Sequence, residues 1–157
     1  MTPLATSIIN QRDSITRLKI RKDFWEFLIS RHPIEEDHAP STRNAYRWRP
    51  LPKMRLVIVQ FVAQHGVGVF VRGQRGGNSD EVENRLRPYA ARLKKALGVD
   101  EFLVLGHGNP SPKYFFQKFK NFKSSRQTNW GRMADWLHKE ADAYQDALYQ
   151  VMEGRKS

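Results

Sequence analysis

Apolar residues recur along much of the chain at three- and four-residue steps, which is the spacing of a helix with one buried face. This spacing predicts helices over residues 14–31, 78–97 and 129–152. Each of these helices has a polar face as well, so we expect all three to pack with their apolar faces on a common sheet.

Proline, glycine and capping residues mark where these helices begin, bend or end. Pro33 ends the first helix, because the residue before a proline avoids helical backbone angles. Asn78 with Glu81 three residues later has the form of a capping box at the start of the second helix. Gly98 is the natural C-terminal stop of that helix. Pro88 either kinks the helix or divides it in two.

Shorter segments rich in Val, Ile and Phe predict strands. Residues 54–63 and 67–72 flank a short break that contains a glycine, so we expect them to form an antiparallel hairpin. Residues 46–49 lie in a proline-rich segment predicted to be an extended loop with a short edge strand. Residues 102–105 predict a short buried strand. Residues 113–122 half fit both strand alternation and helical spacing, and the strand is favoured.

Together these elements predict an α+β fold. We expect an antiparallel sheet of three to five strands packed by about three helices, in a single domain over residues 1–157. Residues 1–13 and 154–157 are expected to be flexible termini. The chain shows no repeat of fixed period and no linker long enough to separate two domains.

Composition then narrows the class of protein. The chain has 157 residues, 27 Lys+Arg against 16 Asp+Glu, a formal net charge of +11, and no cysteine. The lack of cysteine excludes disulfides, thiolate catalysis and cysteine-based zinc fingers. No apolar run is long enough for a membrane span, and the N-terminus lacks the order of a secretory signal. We therefore expect a cytoplasmic protein with no membrane partner. The excess positive charge favours a polyanionic binding partner, most often nucleic acid.

The positive charge is concentrated in two blocks that contain no acid. Residues 38–79 carry seven Lys or Arg residues and residues 102–134 carry six, with no Asp or Glu in either block. This distribution suits a surface from which phosphate must not be repelled. The cations predicted to contact nucleic acid are Arg43, Arg47, Arg49, Arg55, Arg72 and Arg75 in the first block, and Lys113, Lys118, Lys120, Lys123 and Arg126 in the second.

Aromatic residues are interleaved with the cations of both blocks. Trp48 lies between Arg47 and Arg49, and Tyr114 follows Lys113. Cations hold backbone phosphates while exposed rings stack on unpaired bases, so Trp48 and Tyr114 are predicted to stack on bases. The alternative is that these rings occupy the inward positions of a strand and are ordinary core residues.

The glycine-containing segment at residues 73–78 precedes the second helix. Consecutive glycines expose backbone N–H groups beside the positive end of a helix, which is an arrangement that binds phosphate. The segment lacks the Lys-Ser/Thr pair of a nucleotide-hydrolysing loop. A tight turn between a strand and a helix is the alternative interpretation.

The sequence offers little that resembles a catalytic centre. A metal-dependent nuclease needs carboxylates on adjacent strands, and the hairpin has none. Such an enzyme would have to bring Asp100, Glu101 and Glu81 together around a cation.

His107 follows a strand and His65 lies at the hairpin tip, so a metal-independent ribonuclease is a weaker alternative. We predict no metal site and no cofactor, and the catalytic residues of any enzyme are unknown.

Four stretches resemble a bacterial family of domains of unknown function. They are the aromatic helix at residues 24–28, the hairpin at 56–71, the amphipathic helix that ends at Gly98, and the Asn-Trp entry to the last helix at 129–137. The resemblance covers residues 15–152. Members of that family occur alone or fused to endonuclease-like modules in genome defence. The resemblance implies an accessory or DNA-handling role, and it transfers no catalytic residue.

These observations favour a non-enzymatic nucleic-acid-binding accessory module in bacterial genome maintenance or defence, with DNA favoured over RNA. Two alternatives stay open at this stage. The first is a metal-dependent nuclease of restriction-endonuclease-like type. The second is a protein-interaction module, such as a mobile-element inhibitor of a host nucleoprotein, in which the basic surface meets an acidic protein partner.

Overall fold

Five strands form one antiparallel sheet in the computed structural model, which describes residues 20–154. The strand order across the sheet is β1-β2-β3-β5-β4. The strands are β1 (Tyr46–Leu51), β2 (Leu56–Ala63), β3 (Gly66–Gly73), β4 (Leu103–Leu105) and β5 (Lys113–Asn121). The predicted hairpin is therefore β2–β3, the predicted edge strand is β1, and residues 113–121 form a strand.

Helices precede, separate and follow these strands. They are α1 (described over residues 20–31), α2 (Glu35–His38), α3 (Ser79–Leu86), α4 (Ala90–Leu97) and α5 (Trp130–Glu153). Short 3₁₀ turns lie at Pro52–Met54, Arg87–Tyr89 and Gln127–Asn129. The α+β prediction is confirmed. The expected start of the first helix and the expected flexible ends, apart from Gly154, lie outside the described residues.

The helix boundaries follow the capping and proline signals. Asn78 caps α3, because its side-chain oxygen accepts hydrogen bonds from the backbone N–H groups of Asp80 at 2.8 Å and Glu81 at 3.3 Å. Pro88 lies in the 3₁₀ turn that divides the second predicted helix into α3 and α4. Gly98 ends α4 with a left-handed φ of +70°. The short helix α2 was missed, because its segment was predicted to be an extended loop.

All the described helices pack on one face of the sheet, which we call the helix face. Alternate residues of β2 and β3, such as Ile58 and Val69, join the core formed with the helices, and Trp25, Leu93 and Leu137 pack there. The opposite face, which we call the open face, carries a separate small cluster. It contains Val57, Val59 and Phe70, with Trp48, Phe61 and Tyr114 packed at its sides and no residue of a described helix.

A bulge in β5 explains why its sequence half fits a strand. Phe115 and Phe116 are consecutive and both are fully buried in the core, which regular alternation does not allow. The pairing with β3 shifts register beside them, and Phe116 takes a left-handed φ of +55°. The buried Tyr144 hydroxyl of α5 donates a hydrogen bond to the Phe116 carbonyl at 2.5 Å. Burial raises the pKa of Tyr144, so the hydroxyl stays a donor.

Candidate nucleic-acid interface

Strand β1 separates its cations from its aromatic residues. Side chains alternate across a strand, so Arg47 and Arg49 lie on the helix face while Tyr46 and Trp48 lie on the open face. The pairing with β2 agrees with this, because Arg47 is opposite the buried Gln60 and Trp48 is opposite Val59. Only 2% of Arg47 and 1% of Arg49 is exposed.

The carboxylate of Glu35, on the one-turn helix α2, lies between these two buried guanidinium groups. Glu35 Oε2 accepts a hydrogen bond from Arg47 Nη1 at 2.6 Å, and Oε1 accepts one from Arg49 Nη2 at 2.5 Å. His138 Nδ1 of α5 lies 3.0 Å from the same Oε1. The carboxylate thus has cationic partners on both oxygens, which is the condition for burying charge.

Each arginine also binds a second set of acceptors. Arg47 Nη2 donates to the carbonyl oxygens of Glu35 and Ala39, both at 2.5 Å, so it holds the C-terminal end of α2. Arg49 Nη1 donates to Asp142 at 2.8 Å and to Gln145 at 3.2 Å, both on α5. The network therefore ties α2, β1 and α5 together.

The charges of this network stabilise one another. Burial by itself raises the pKa of a carboxyl group, but Arg49, Arg47 and His138 together hold the pKa of Glu35 below its ordinary value. Burial lowers the pKa of Arg47, yet an arginine stays protonated in proteins. Burial and the nearby Arg49 lower the pKa of His38, so its neutral form is favoured.

The prediction that Arg47 and Arg49 contact phosphate at the surface is therefore wrong. Their guanidinium groups are enclosed and committed to Glu35, Gln60 and Asp142. The physical reason is strand alternation, which turns every second residue of the Tyr-Arg-Trp-Arg segment towards the helices. The buried acid that neutralises them comes from a helix that the sequence pattern did not reveal.

Glu35, His138 and Asp142 each offer one ligand atom, and these atoms lie within 4.8 Å of one another. Arg47 and Arg49 already hold the two carboxylates. A metal ion there would meet two guanidinium charges within the same shell, so the donor set does not fit a cation.

The open face carries a row of aromatic rings that crosses the sheet. The ring of Phe61 on β2 lies 5.9 Å from that of Tyr46 on β1 and 6.1 Å from that of Phe119 on β5, centroid to centroid. Phe61 lies over Gly68 of β3, where an added Cβ would come within 2.2 Å of the ring. Glycine at position 68 is thus what lets the row pass across β3.

A second row lies beside it and ends at two arginines. Tyr114 packs on Phe70 with 4.3 Å between ring centroids. The guanidinium carbon of Arg72 lies 4.3 Å from the centre of a Trp48 ring, and that of Arg75 lies 5.4 Å from it. These are cation–π contacts, which hold the two positive charges at this end of the open face without neutralising them.

The other cations predicted to contact nucleic acid form two groups, those that lie beside a carboxylate and those that do not. Lys113 binds Asp80 and Glu83, both at 2.6 Å, and Lys118 binds Glu140 at 3.1 Å. Arg55 lies 3.9 Å from Glu81. Within residues 20–154, no carboxylate pairs with the other predicted cations, which are Arg43, Arg72, Arg75, Lys120, Lys123 and Arg126.

The glycine-containing segment before α3 forms a capped turn. Asn78 already accepts two of the N–H groups at the start of the helix. Asp80 and Glu81 add negative charge at the same position. A phosphate would meet occupied N–H groups and two carboxylates, so the arrangement favours the turn interpretation.

The acids that a nuclease would need are not gathered around one point. Glu81 binds Arg85 Nε at 2.6 Å. Asp100 and Glu101 lie exposed before β4. In the described part of the chain, none of the three belongs to a group of acids and histidines close enough to share a metal ion.

Sequence reasoning named Trp48 and Tyr114 but missed Tyr46, Phe61 and Phe119. The alternation of β1 is a signal that could have found Tyr46, since it shares a face with Trp48. Alternation along β5 does not predict that Phe119 shares a face with Tyr114, because the bulge between them shifts the alternation by one residue.

No family model, no curated protein and no solved structure matches the chain.

None of the helices described between residues 20 and 154 is long and apolar enough to cross a membrane.

Proposed function

We propose that this chain is a nucleic-acid-binding module that binds its ligand on the open face of the sheet. The observation that carries the proposal is the combination found there. The half-buried Trp48 ring lies beside Arg72 and Arg75, whose charges no described carboxylate neutralises, and the exposed rings of Tyr46 and Phe119 lie in the neighbouring row. Rings and cations together are what a surface needs to bind both bases and phosphates.

The distribution of charge supports the same face. The five strands contain no Asp or Glu. Acids of the helices pair with Arg47, Arg49 and Lys118 on the helix face, whereas Lys120 near the end of β5 has no carboxylate partner among the described residues. Unneutralised positive charge is thus left at the open face and at the sheet ends, where it attracts phosphate.

The proposed activity is binding, to DNA or RNA, with DNA favoured. An accessory role in bacterial genome maintenance or defence belongs to the same proposal. It is supported by the resemblance of residues 15–152 to a bacterial family of domains of unknown function.

The test compares two charge-reversed variants of equal charge. Arg72→Glu/Arg75→Glu changes the open face, while Lys95→Glu/Lys139→Glu changes exposed lysines on α4 and α5. Labelled DNA and RNA are titrated at 50 and 200 mM salt, and circular dichroism checks that both variants fold. We expect the open-face variant to bind at least about tenfold more weakly, with a salt slope smaller by about 2.

Equal weakening by both variants would show that only net charge matters and would contradict an open-face site. The absence of any binding to nucleic acid at 50 mM salt would reject the proposed function. Co-purification of an acidic protein that survives nuclease treatment, together with that absence, would favour the protein-interaction alternative.

A further inference from the structure

We infer that the ligand is single-stranded nucleic acid, whose unpaired bases stack on the rings of Tyr46 and Phe119. This inference rests on the proposed function and adds to it the strandedness of the ligand and the two rings that recognise it. Both side chains lie in the row that crosses the open face through Phe61.

These two rings are exposed to an extent that core residues are not. Tyr46 is 49% exposed and Phe119 is 42% exposed, whereas Phe70 in the adjacent row is buried. Phe61 fixes both rings from the side, because it contacts each of them and lies against Gly68. The exposed rings are therefore held in place before a ligand arrives, which lowers the entropic cost of binding.

The row is long enough for more than one base. Tyr46 lies on β1 and Phe119 on β5, and β2 and β3 separate them in the sheet order. Three strand spacings place the two strands roughly 14 Å apart. Two bases can thus stack on the two end rings with the Phe61 ring between them.

Cations lie beyond the rings in both directions along the strands. Arg72 and Arg75 lie beside Trp48 at one end. Lys123 and Arg126 follow β5 at the other end, where both are exposed and no described carboxylate pairs with them. A nucleic-acid strand that crosses the sheet along the row of rings would therefore have cations on both sides of its path. The Arg72 guanidinium over Trp48 also offers a flat surface on which a base can stack.

A duplex fits this face poorly. In a duplex the bases are stacked inside and phosphates lie outside, so two exposed rings would face phosphate instead of bases. Recognition in the major groove needs an α-helix or a two-stranded β-ribbon that enters the groove. The open face is the side of a five-stranded sheet, and no described helix packs on it.

Charge and the exposed rings together favour nucleic acid over other ligands of the open face. A second copy of this chain would bring the same formal charge of +11 towards it. An acidic peptide would satisfy the arginines but would leave the exposed rings without stacking partners. A single strand satisfies both groups.

The experiment measures affinity for a labelled 12-nucleotide single strand, as DNA and as RNA, and for the DNA duplex of the same sequence. Tyr46→Ala/Phe119→Ala removes both rings. Tyr46→Phe/Phe119→Tyr keeps both rings and is the conservative control. Ile34→Ala/Leu105→Ala removes two other exposed apolar side chains, which are 54% and 62% exposed.

We expect the ring-deleted protein to bind the single strand about 30-fold more weakly or worse, and the duplex within about twofold of the unmodified protein. The ring-exchanged protein and the Ile34/Leu105 variant should bind like the unmodified protein. Unfolding curves confirm that all the variants fold.

The inference is overturned if the ring-deleted protein keeps its single-strand affinity while Arg72→Glu/Arg75→Glu loses it. In that outcome the proposed function stands with a different ligand form. It is also overturned if ring deletion weakens duplex and single strand equally. If none of the nucleic acids binds the unmodified protein at 50 mM salt, the inference and the proposed function fail together.

Discussion

The two faces of the sheet use the same kinds of residue for opposite purposes. On the helix face, Arg47 and Arg49 are buried and bound to Glu35. On the open face, Arg72 and Arg75 lie over Trp48 with no described carboxylate beside them. The first pair is neutralised within the protein, and the charge of the second pair is not neutralised by any described carboxylate.

The difference teaches that an acid-free basic segment does not by itself identify a binding surface. A cation on a strand can be neutralised when it lies on the face that the acidic helices cover. In this chain Arg47, Arg49 and Lys118 are paired there, whereas Arg72 on the open face has no described carboxylate beside it.

Removing the buried negative charge on the helix face should cost the most stability. Glu35→Gln leaves Arg47 and Arg49 without their shared carboxylate, and breaking a buried ion pair in this way costs about 3–5 kcal/mol. Urea unfolding measures the loss. Glu36→Gln, at an exposed site on the same turn, is the matched control and should change stability by less than about 0.5 kcal/mol. A loss of about 1 kcal/mol or less for Glu35→Gln would mean that the two guanidinium groups do not depend on Glu35.

On the open face, the row of rings depends on the missing side chain at position 68. Gly68→Ala places a methyl group within 2.2 Å of the Phe61 ring, so the ring must move. We expect a loss of about 1–3 kcal/mol from overpacking, with weaker binding of the single strand. Gly131→Ala is the control, because the atoms nearest to its methyl group belong to the flexible Arg31 side chain, at 3.5 Å, and the site is helical. That variant should be neutral or more stable by up to about 1 kcal/mol.

The fold was predictable where one period dominated the pattern. The hairpin predicted at residues 54–63 and 67–72 and the stop at Gly98 follow from local rules about β-rich runs and glycine. Proline predicted a kink or a division at Pro88, and the structure has the division. The bulge at Phe116 was not predictable from local rules, because the groups that bond Phe116 are distant in sequence: its carbonyl accepts from Tyr144, 28 residues away, and its N–H donates to the Phe102 carbonyl.

The candidate site was predictable in part. Trp48, Arg72 and Arg75 were named from their neighbours in sequence, and the structure brings them together at one end of the open face. Arg47 and Arg49 were misassigned, since their partner Glu35 lies in a short helix without a periodic signal. Whether a charged side chain is buried depends on three-dimensional packing, so it cannot be predicted by counting charges along the sequence.

The bulge determines which residues of β5 reach the open face, so its support is the next test. Tyr144→Phe removes the hydrogen bond to the Phe116 carbonyl and should cost about 1 kcal/mol or slightly more. Thermal or urea unfolding measures the loss. Tyr89→Phe, at a half-buried site in the 3₁₀ turn before α4, is the comparison. A Tyr144→Phe protein as stable as the unmodified one would show that backbone pairing alone holds the bulge.

The smallest expected effect is a pH dependence on the helix face. The hydrogen bond from Arg31, with His32 beside it, lowers the pKa of Asp135 from 3.8 to about 2. A carboxyl group whose pKa is lowered in the folded state stabilises the fold at any pH above its unfolded-state pKa. That stabilisation is lost progressively as the pH falls from about 5 to about 1, through the folded pKa.

The comparison is between the unmodified protein and Asp135→Asn, unfolded in urea across that pH range. Because Asp135 is half exposed, we expect a difference below about 1 kcal/mol at neutral pH that shrinks as the pH falls and vanishes near pH 1, below the folded pKa. A difference that stays constant with pH would show that the carboxylate's charge is not what stabilises the contact.

The central claim is that the open face, and not the helix face, meets the ligand. Photochemical cross-linking tests it most directly: a single-stranded oligonucleotide with halogenated pyrimidines is irradiated with the unmodified protein, and the attached peptides are identified by mass spectrometry. We expect attachment at Tyr46, Trp48 and Phe119. Attachment confined to peptides of α4 and α5 would contradict it.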